Sequence, residues 1–190
     1  MFTSFTVFLD ACVLVPNWLR DVLLTAAQFE LYRPCWSPTV LSETRNTLIN
    51  KIGVAPENAD YTLNMVCTAF PEALVTGYEP FIAGMPVNDK DKHVVAATLI
   101  GRAELIVTNN LADFPQGLLA PIGLKAKSAD TFLSDLLARY PKEILGVLNF
   151  MAENTGKAGK PELTLYDVVQ AIGASAPNFA AAALFAFDIT

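Results

Sequence analysis

Two short runs of β-forming apolar residues each end on polar side chains. FTVFL at 5–9 runs directly into Asp10, and ELIVTN at 104–109 runs into Asn110 and then Asp113. Apolar runs this short, bounded by turn residues, read as buried strands. A carboxylate at the end of such a strand is costly unless it is paired, bound to a metal or placed at the rim of the sheet. Asn and Asp also close turns through their own side chains, so the exit at 109–113 has a plain local reading as well. The stretches between these strands have helical periodicity. Strand–helix alternation of this kind implies an α/β fold, a parallel sheet with helices on both faces. Such sheets bind ligands beyond the carboxyl ends of their strands.

The chain reads as about five strands flanked by helices. FTVFL is the first. YRPCW at 32–36 is an edge or broken strand because Pro34 cannot donate to a ladder. ALVTG at 73–77, ELIVTN and a weaker IGLKAKS at 122–128 complete the set. Helices are expected from about Asn17 to Glu30, from Pro38 to about Lys51, from Pro56 to Phe70, and across DKDKHVVAATLIGRA. Ser37 and Pro38 suit the N-cap and first position of the second of these. After Ser128 only helices are expected, with GKAGKPE as a linker and Thr164 and Asp167 as a short capping box. The division is therefore an α/β domain over 1–127 and a helical C-terminal extension over 128–190.

Composition narrows the function. The chain has 190 residues, 53% of them hydrophobic, and a net charge of −6. A protein that coats nucleic acid is excluded by that charge, but a nuclease holding its charge locally is not. Cys12, Cys35 and Cys67 form no CxxC pair and His93 is the single histidine, which removes zinc-finger and disulfide-scaffold readings. Reduced thiols and a cytoplasmic location are the simplest expectation. MFTSFTVFLDACVL lacks a basic start and is interrupted by Asp10, so it is not read as a signal peptide. FAAAALFAF is too short to span a bilayer, so no membrane attachment is expected.

Four acids fall where an α/β sheet places its site. Asp10 ends the first strand and Asp113 follows the strand at 104–109. Asp91 lies near the start of the helix leading into that strand, and Glu43 sits inside the helix capped by Ser37. Each has a bland alternative: Asp89 and Asp91 suit a helix N-terminus, and Glu43 suits a solvated helix face. Brought together, four carboxylates repel and require cations or protonation. Oxygen ligands favour Mg²⁺ or Mn²⁺ over zinc. The corresponding chemistry is phosphoryl transfer with water as nucleophile.

VFLDACVL, WSPTVLSETRNTL and NDKDKHVVAATLIGRAELIVTNNLADFP together resemble the PIN domain family over about residues 5–135. PIN domains are metal-dependent ribonucleases, and many are toxins of bacterial toxin–antitoxin pairs of the VapC type. The resemblance implies an acidic quartet of Asp10, Glu43, Asp91 and Asp113, with Asp10, Asp91 and Asp113 as metal ligands. It also implies auxiliary roles for Thr108 and Asn110, an RNA substrate, an antitoxin partner and a homodimer. Cys12 departs from the pattern, which has Asn two residues after the first acid. Asp89 competes with Asp91, and spacing favours Asp91 with Asp89 as helper or cap.

Other residues carry weaker expectations. His93 falls about 200° around the helix from Asp91 and reads as a surface or packing residue. Cys12 reads as a buried, inert thiol. Residues 1–127 hold nine Lys and Arg against twelve Asp and Glu, so neutralising the quartet leaves nine against eight. Arg45, Lys90 and Lys92 are the candidates to meet RNA phosphates. Two rival readings are a catalytically silent PIN-like interaction module and another metal-dependent phosphohydrolase. The DxDxT start of aspartyl-phosphate phosphatases is absent, since DACVL has no second acid.

Overall fold

The computed structural model describes residues 5–157 and 161–189. The centre of the GKAGKPE linker and the first four residues of the N-terminal run lie outside them. The chain divides into two compact units. One comprises Phe5–Val15 and Arg33–Lys127; the other takes Pro16–Tyr32 together with the residues from Ser128 onward. The helical segment Pro16–Tyr32 clusters with the C-terminal helices.

In the first unit, β1 (Thr6–Leu9), β2 (Arg33–Cys35), β3 (Leu105–Val107) and β4 (Lys125–Lys127) form one sheet in the order β2-β1-β3-β4. All three pairings are parallel. The β-branched and aromatic runs of β1 and β3 lie at its centre, and Val7, Phe8, Leu9, Ile106 and Val107 are fully buried. Burial on both faces is why these strands read as continuous apolar runs rather than alternating ones. The short helix α1 (Ala11–Leu14) follows β1; α2 (Asn17–Gln28) belongs to the other unit. The flanking helices of this unit are α3 (Pro38–Asn50), α4 (Pro56–Ala69), α5 (Lys92–Ile100) and α6 (Gln116–Leu119).

The sheet has four strands where about five were expected. ALVTG contributes one isolated parallel bridge, Trp36 to Leu74. The reason lies in Pro34. The N–H of Arg33 donates to Phe5 on the β1 side and that of Trp36 donates to Ala73 on the outer side. Backbone directions alternate along a strand, so the outward position at 34 is filled by a residue with no N–H. A fifth strand can hold on at Trp36 but cannot extend toward Pro34. Beyond Val75 the chain turns at Gly77, whose φ of +78° suits glycine.

Local chemistry fixes the helix starts. The Ser37 hydroxyl accepts from the Val40 N–H (3.2 Å) with Pro38 at the first position of α3. α5 is apolar around most of its circumference and buried from His93 to Thr98. Its end packs closely: a Cβ on Gly101 would lie 2.7 Å from Val75 Cγ2.

The second unit is helical, with α2, α7 (Ala129–Arg139), α8 (Pro141–Glu153), α9 (Leu165–Gly173) and α10 (Pro177–Ala186). Gly146 on α8 lets the Phe29 ring come close, since a Cβ there would stand 3.1 Å from it. Thr164 and Asp167 form the capping box expected for α9. α10 is capped from another helix. Its own N-cap is Ala176, which has no side-chain acceptor, and the Asp130 carboxylate of α7 receives the N–H groups of Asn178 (3.3 Å) and Phe179 (2.8 Å). It also receives Asn178 Nδ2 at 2.6 Å. These are the donors an N-cap side chain normally satisfies. Asp130→Ala should therefore cost about 1 kcal/mol. That corresponds to about 2–4 °C in thermal midpoint for a chain of this size, and differential scanning calorimetry will measure it. An unchanged midpoint would show that the interhelical cap contributes nothing.

Candidate active site

The strand order reverses between β1 and β3, because the neighbours of β1 on either side are reached by separate connections. In open parallel sheets the crevice at such a reversal is the binding site. Asp10 is the first residue beyond β1 and Thr108 the first beyond β3. Their backbones continue the ladders, with Asp10 N–H on Val107 O (3.1 Å) and Thr108 N–H on Lys127 O (3.0 Å).

Asp10 is buried, with 7% of its surface exposed, and held from three sides. Oδ1 accepts from the Ala11 N–H at 2.7 Å, where Asp10 caps α1. Oδ2 accepts from the Thr108 hydroxyl at 2.7 Å and from the Cys12 thiol at 3.2 Å. Thr108 Oγ1 in turn accepts from the Asn110 N–H at 3.1 Å, and Cys12 Sγ accepts from the Asn109 N–H at 3.2 Å. Burial, and then the charge of Asp10, push the Cys12 thiol up to about 12, so it is neutral at physiological pH. Cys12 thus acts as a hydrogen-bond donor to Asp10 in the position where the resembled pattern has Asn.

Asp91 and Asp113 meet on a shared cation. Asp91 is the N-cap residue of α5 but makes no side-chain cap bond. Asp113 ends a 3₁₀ turn at Leu111–Asp113. The ammonium of Lys90 lies 2.9 Å from Asp113 Oδ2 and 3.6 Å from Asp91 Oδ2. The first distance is a hydrogen bond and the second a charge contact only. Asp91 Oδ2 is buried with no hydrogen-bond partner. Burial first, and then the charges of Asp113 and Asp10, raise the Asp91 pKa against the opposing pull of Lys90. The hydrogen bond to Asp113 holds the Lys90 pKa above its ordinary value.

Glu43 joins through histidine. Its Oε1 lies 3.1 Å from His93 Nε2. His93 is buried and its Nδ1 has no partner. The angular reading directs His93 away from Asp91, and the ring does meet Glu43 instead; but it is not a surface residue. The signal was present in VVAATLI, a continuous apolar stretch that makes α5 a helix buried all round. Three other candidate residues, Asp89, Lys92 and Arg45, have ion-pair partners. Asp89 is 97% exposed and pairs with Lys92 at 2.8 Å. Arg45 makes a two-pronged contact with Asp60 on α4. Of the three basic residues expected at phosphates, Lys90 is the one found among the acids.

Among the described residues, no three His, Cys, Asp or Glu side chains already stand as ligands around one point. The donors nonetheless fit a hard divalent cation in kind. They are carboxylate oxygens, one of them buried without a hydrogen bond, and their mutual repulsion is already met by one cation. Asp91 and Asp113, which share Lys90, and Asp10, whose charge reaches Asp91, are the residues that could hold such an ion; Glu43 is tied to His93.

His93 sets a pH dependence. Burial disfavours the charged ring, but the hydrogen bond and charge of Glu43, with Asp10 and Asp91 behind it, raise the pKa overall. A raised folded value means that the stabilisation is complete below about pH 6.5, the unfolded value, and is lost as pH rises through the folded one. Glu43→Gln should flatten the decline in urea midpoint between about pH 6 and about pH 8. The same slope in both proteins would remove the pair from the account.

No helix among the described residues is long and apolar enough to cross a membrane. No family model and no solved structure matches the chain. Among characterised proteins it is similar to one named "Putative ribonuclease VapC50" from Mycobacterium tuberculosis (strain ATCC 25618 / H37Rv), with 38% identity over 124 residues. The match covers 61% of this chain and 69% of that relative. On that likeness, the chain belongs to the VapC family.

Proposed function

We propose that the protein is a metal-dependent endoribonuclease with a PIN-type active site, acting as the toxin of a toxin–antitoxin pair. The observation that supports this reading is that Lys90 ties Asp91 and Asp113 to one cation, with Glu43 on His93. Each acid alone has a structural explanation. Burial first, and then the charges of Asp113 and Asp10, raise the pKa of Asp91, a cost that a purely structural arrangement does not need. The name of the mycobacterial relative supports ribonuclease chemistry and, through VapC, an antitoxin as partner.

In this reading Asp10, Asp91 and Asp113 hold Mg²⁺ or Mn²⁺, with Glu43 completing the acidic set. When bound, such an ion lowers the pKa of water and shields the charge of the phosphate under attack. The chain's own contribution is placement. Thr108, Cys12 and the Ala11 N–H fix both oxygens of Asp10, so its carboxylate cannot rotate away. His93 holds Glu43 against repulsion by the other acids. Asp89 is a solvent-facing partner of Lys92, outside this set.

Purified protein incubated with total RNA and Mg²⁺ or Mn²⁺ should produce defined fragment ends, with Asp10→Asn at least about 100-fold slower, the scale for losing a group that acts on the transition state. Cleavage undiminished by EDTA, or by Asp10→Asn, would exclude the mechanism. A folded protein that cuts no RNA but binds a partner would be an interaction module. A separate measurement concerns the metal-free state. Asp91→Asn removes a carboxylate that burial and its neighbours disfavour, so it should raise the thermal midpoint in EDTA by about 2–4 °C. A lower midpoint would mean that the Lys90 contact outweighs the repulsion.

A further inference from the structure

Resting on that reading, we infer that Lys90 is a built-in competitor for the divalent cation: its ammonium holds Asp91 and Asp113 together in the metal-free protein and must leave when the metal binds. The contacts are specific. Lys90 Nζ lies 2.9 Å from Asp113 Oδ2 and 3.6 Å from Asp91 Oδ2, so one ammonium faces both of the carboxylates that would hold an ion. Asp91 Oδ2 has no hydrogen bond, so charge alone ties it to Lys90.

The arrangement is easily reversed. The Lys90 side chain is 67% exposed. An ammonium is a compact charge on a flexible stem, with no fork geometry to keep it in place. Exposed ion pairs of this kind are individually weak. A divalent ion offers both carboxylates twice the charge, and Lys90 can turn outward into water without disturbing the backbone. Lys92, two residues on, has another partner in Asp89, and Arg45 has Asp60, so neither takes part in this exchange. The ammonium thus protects the metal-free site from its own repulsion at the expense of metal affinity.

The test is calorimetric titration of Mn²⁺ into the full chain in its wild-type form and as Lys90→Met, Lys90→Arg and Asp10→Asn, with thermal midpoints measured in EDTA. Lys90→Met should bind Mn²⁺ about threefold to tenfold more tightly, on the scale of one weakly screened charge contact, and should melt lower than wild type without metal. Lys90→Arg keeps the charge and adds the fork, so it should bind Mn²⁺ no more tightly than wild type and should not melt lower without metal. Equal or weaker binding by Lys90→Met, with binding lost in Asp10→Asn, would overturn the role of Lys90 while leaving the metal site standing. Absence of Mn²⁺ binding in every form would overturn the metal reading and this inference with it.

Discussion

The hydrogen bond from Thr108 to Asp10 joins the ends of the two central strands at 2.7 Å. Everything at the site is arranged around it. β1 and β3 are neighbours in the sheet, so the residues just beyond them lie side by side; a buried carboxylate there must find donors or be excluded from the core. Thr108 supplies one from the opposite strand end, the Ala11 N–H another and Cys12 a third. With Asp10 fixed, its charge adds to the repulsion that Asp113 exerts on Asp91, and that repulsion must be balanced by something.

That balance is what separates a site from an accident of packing. Most acids on a protein surface sit in water or beside a single base, as Asp60 does with Arg45 and Asp89 with Lys92. Asp91 does not. Part of its carboxylate is buried without a hydrogen bond, and its neighbours on two sides are other carboxylates. A carboxyl group displaced upward from its ordinary pKa by burial and like charges is a physical reason to look for chemistry there.

Much of this could be read from the chain before any coordinates. The strands at β1 and β3 were legible because their flanks are polar and their interiors unbroken. The caps at Ser37 and Thr164 were legible because each is a side-chain acceptor before a periodic run. Three of the four candidate acids stand at element ends, Asp10 after β1, Asp91 before α5 and Asp113 at the close of a 3₁₀ turn, while Glu43 lies inside α3. What was not legible involves partners distant in sequence. The fifth strand fails because of which way Pro34 faces, and strand identity alone does not give that. His93 finds Glu43 across fifty positions of chain. Arg45 finds Asp60, since α3 and α4 pack against each other, and Asp130 caps a helix 47 positions away. Pairings of this kind depend on the approach of two elements, which local patterns do not encode.

The edges of the sheet carry one more consequence. A parallel sheet that stops at four strands offers two rows of backbone donors and acceptors, and such rows recruit strands from other molecules. Here one edge, β2, carries Pro34 with no N–H to give, and the short bridge at Leu74 covers the position beside it. The other edge, β4, is KAK, so an incoming strand would meet a lysine at each end of the three-residue rung. The same proline that limits the sheet to four strands thus also leaves that edge short of a donor for a strand from another molecule.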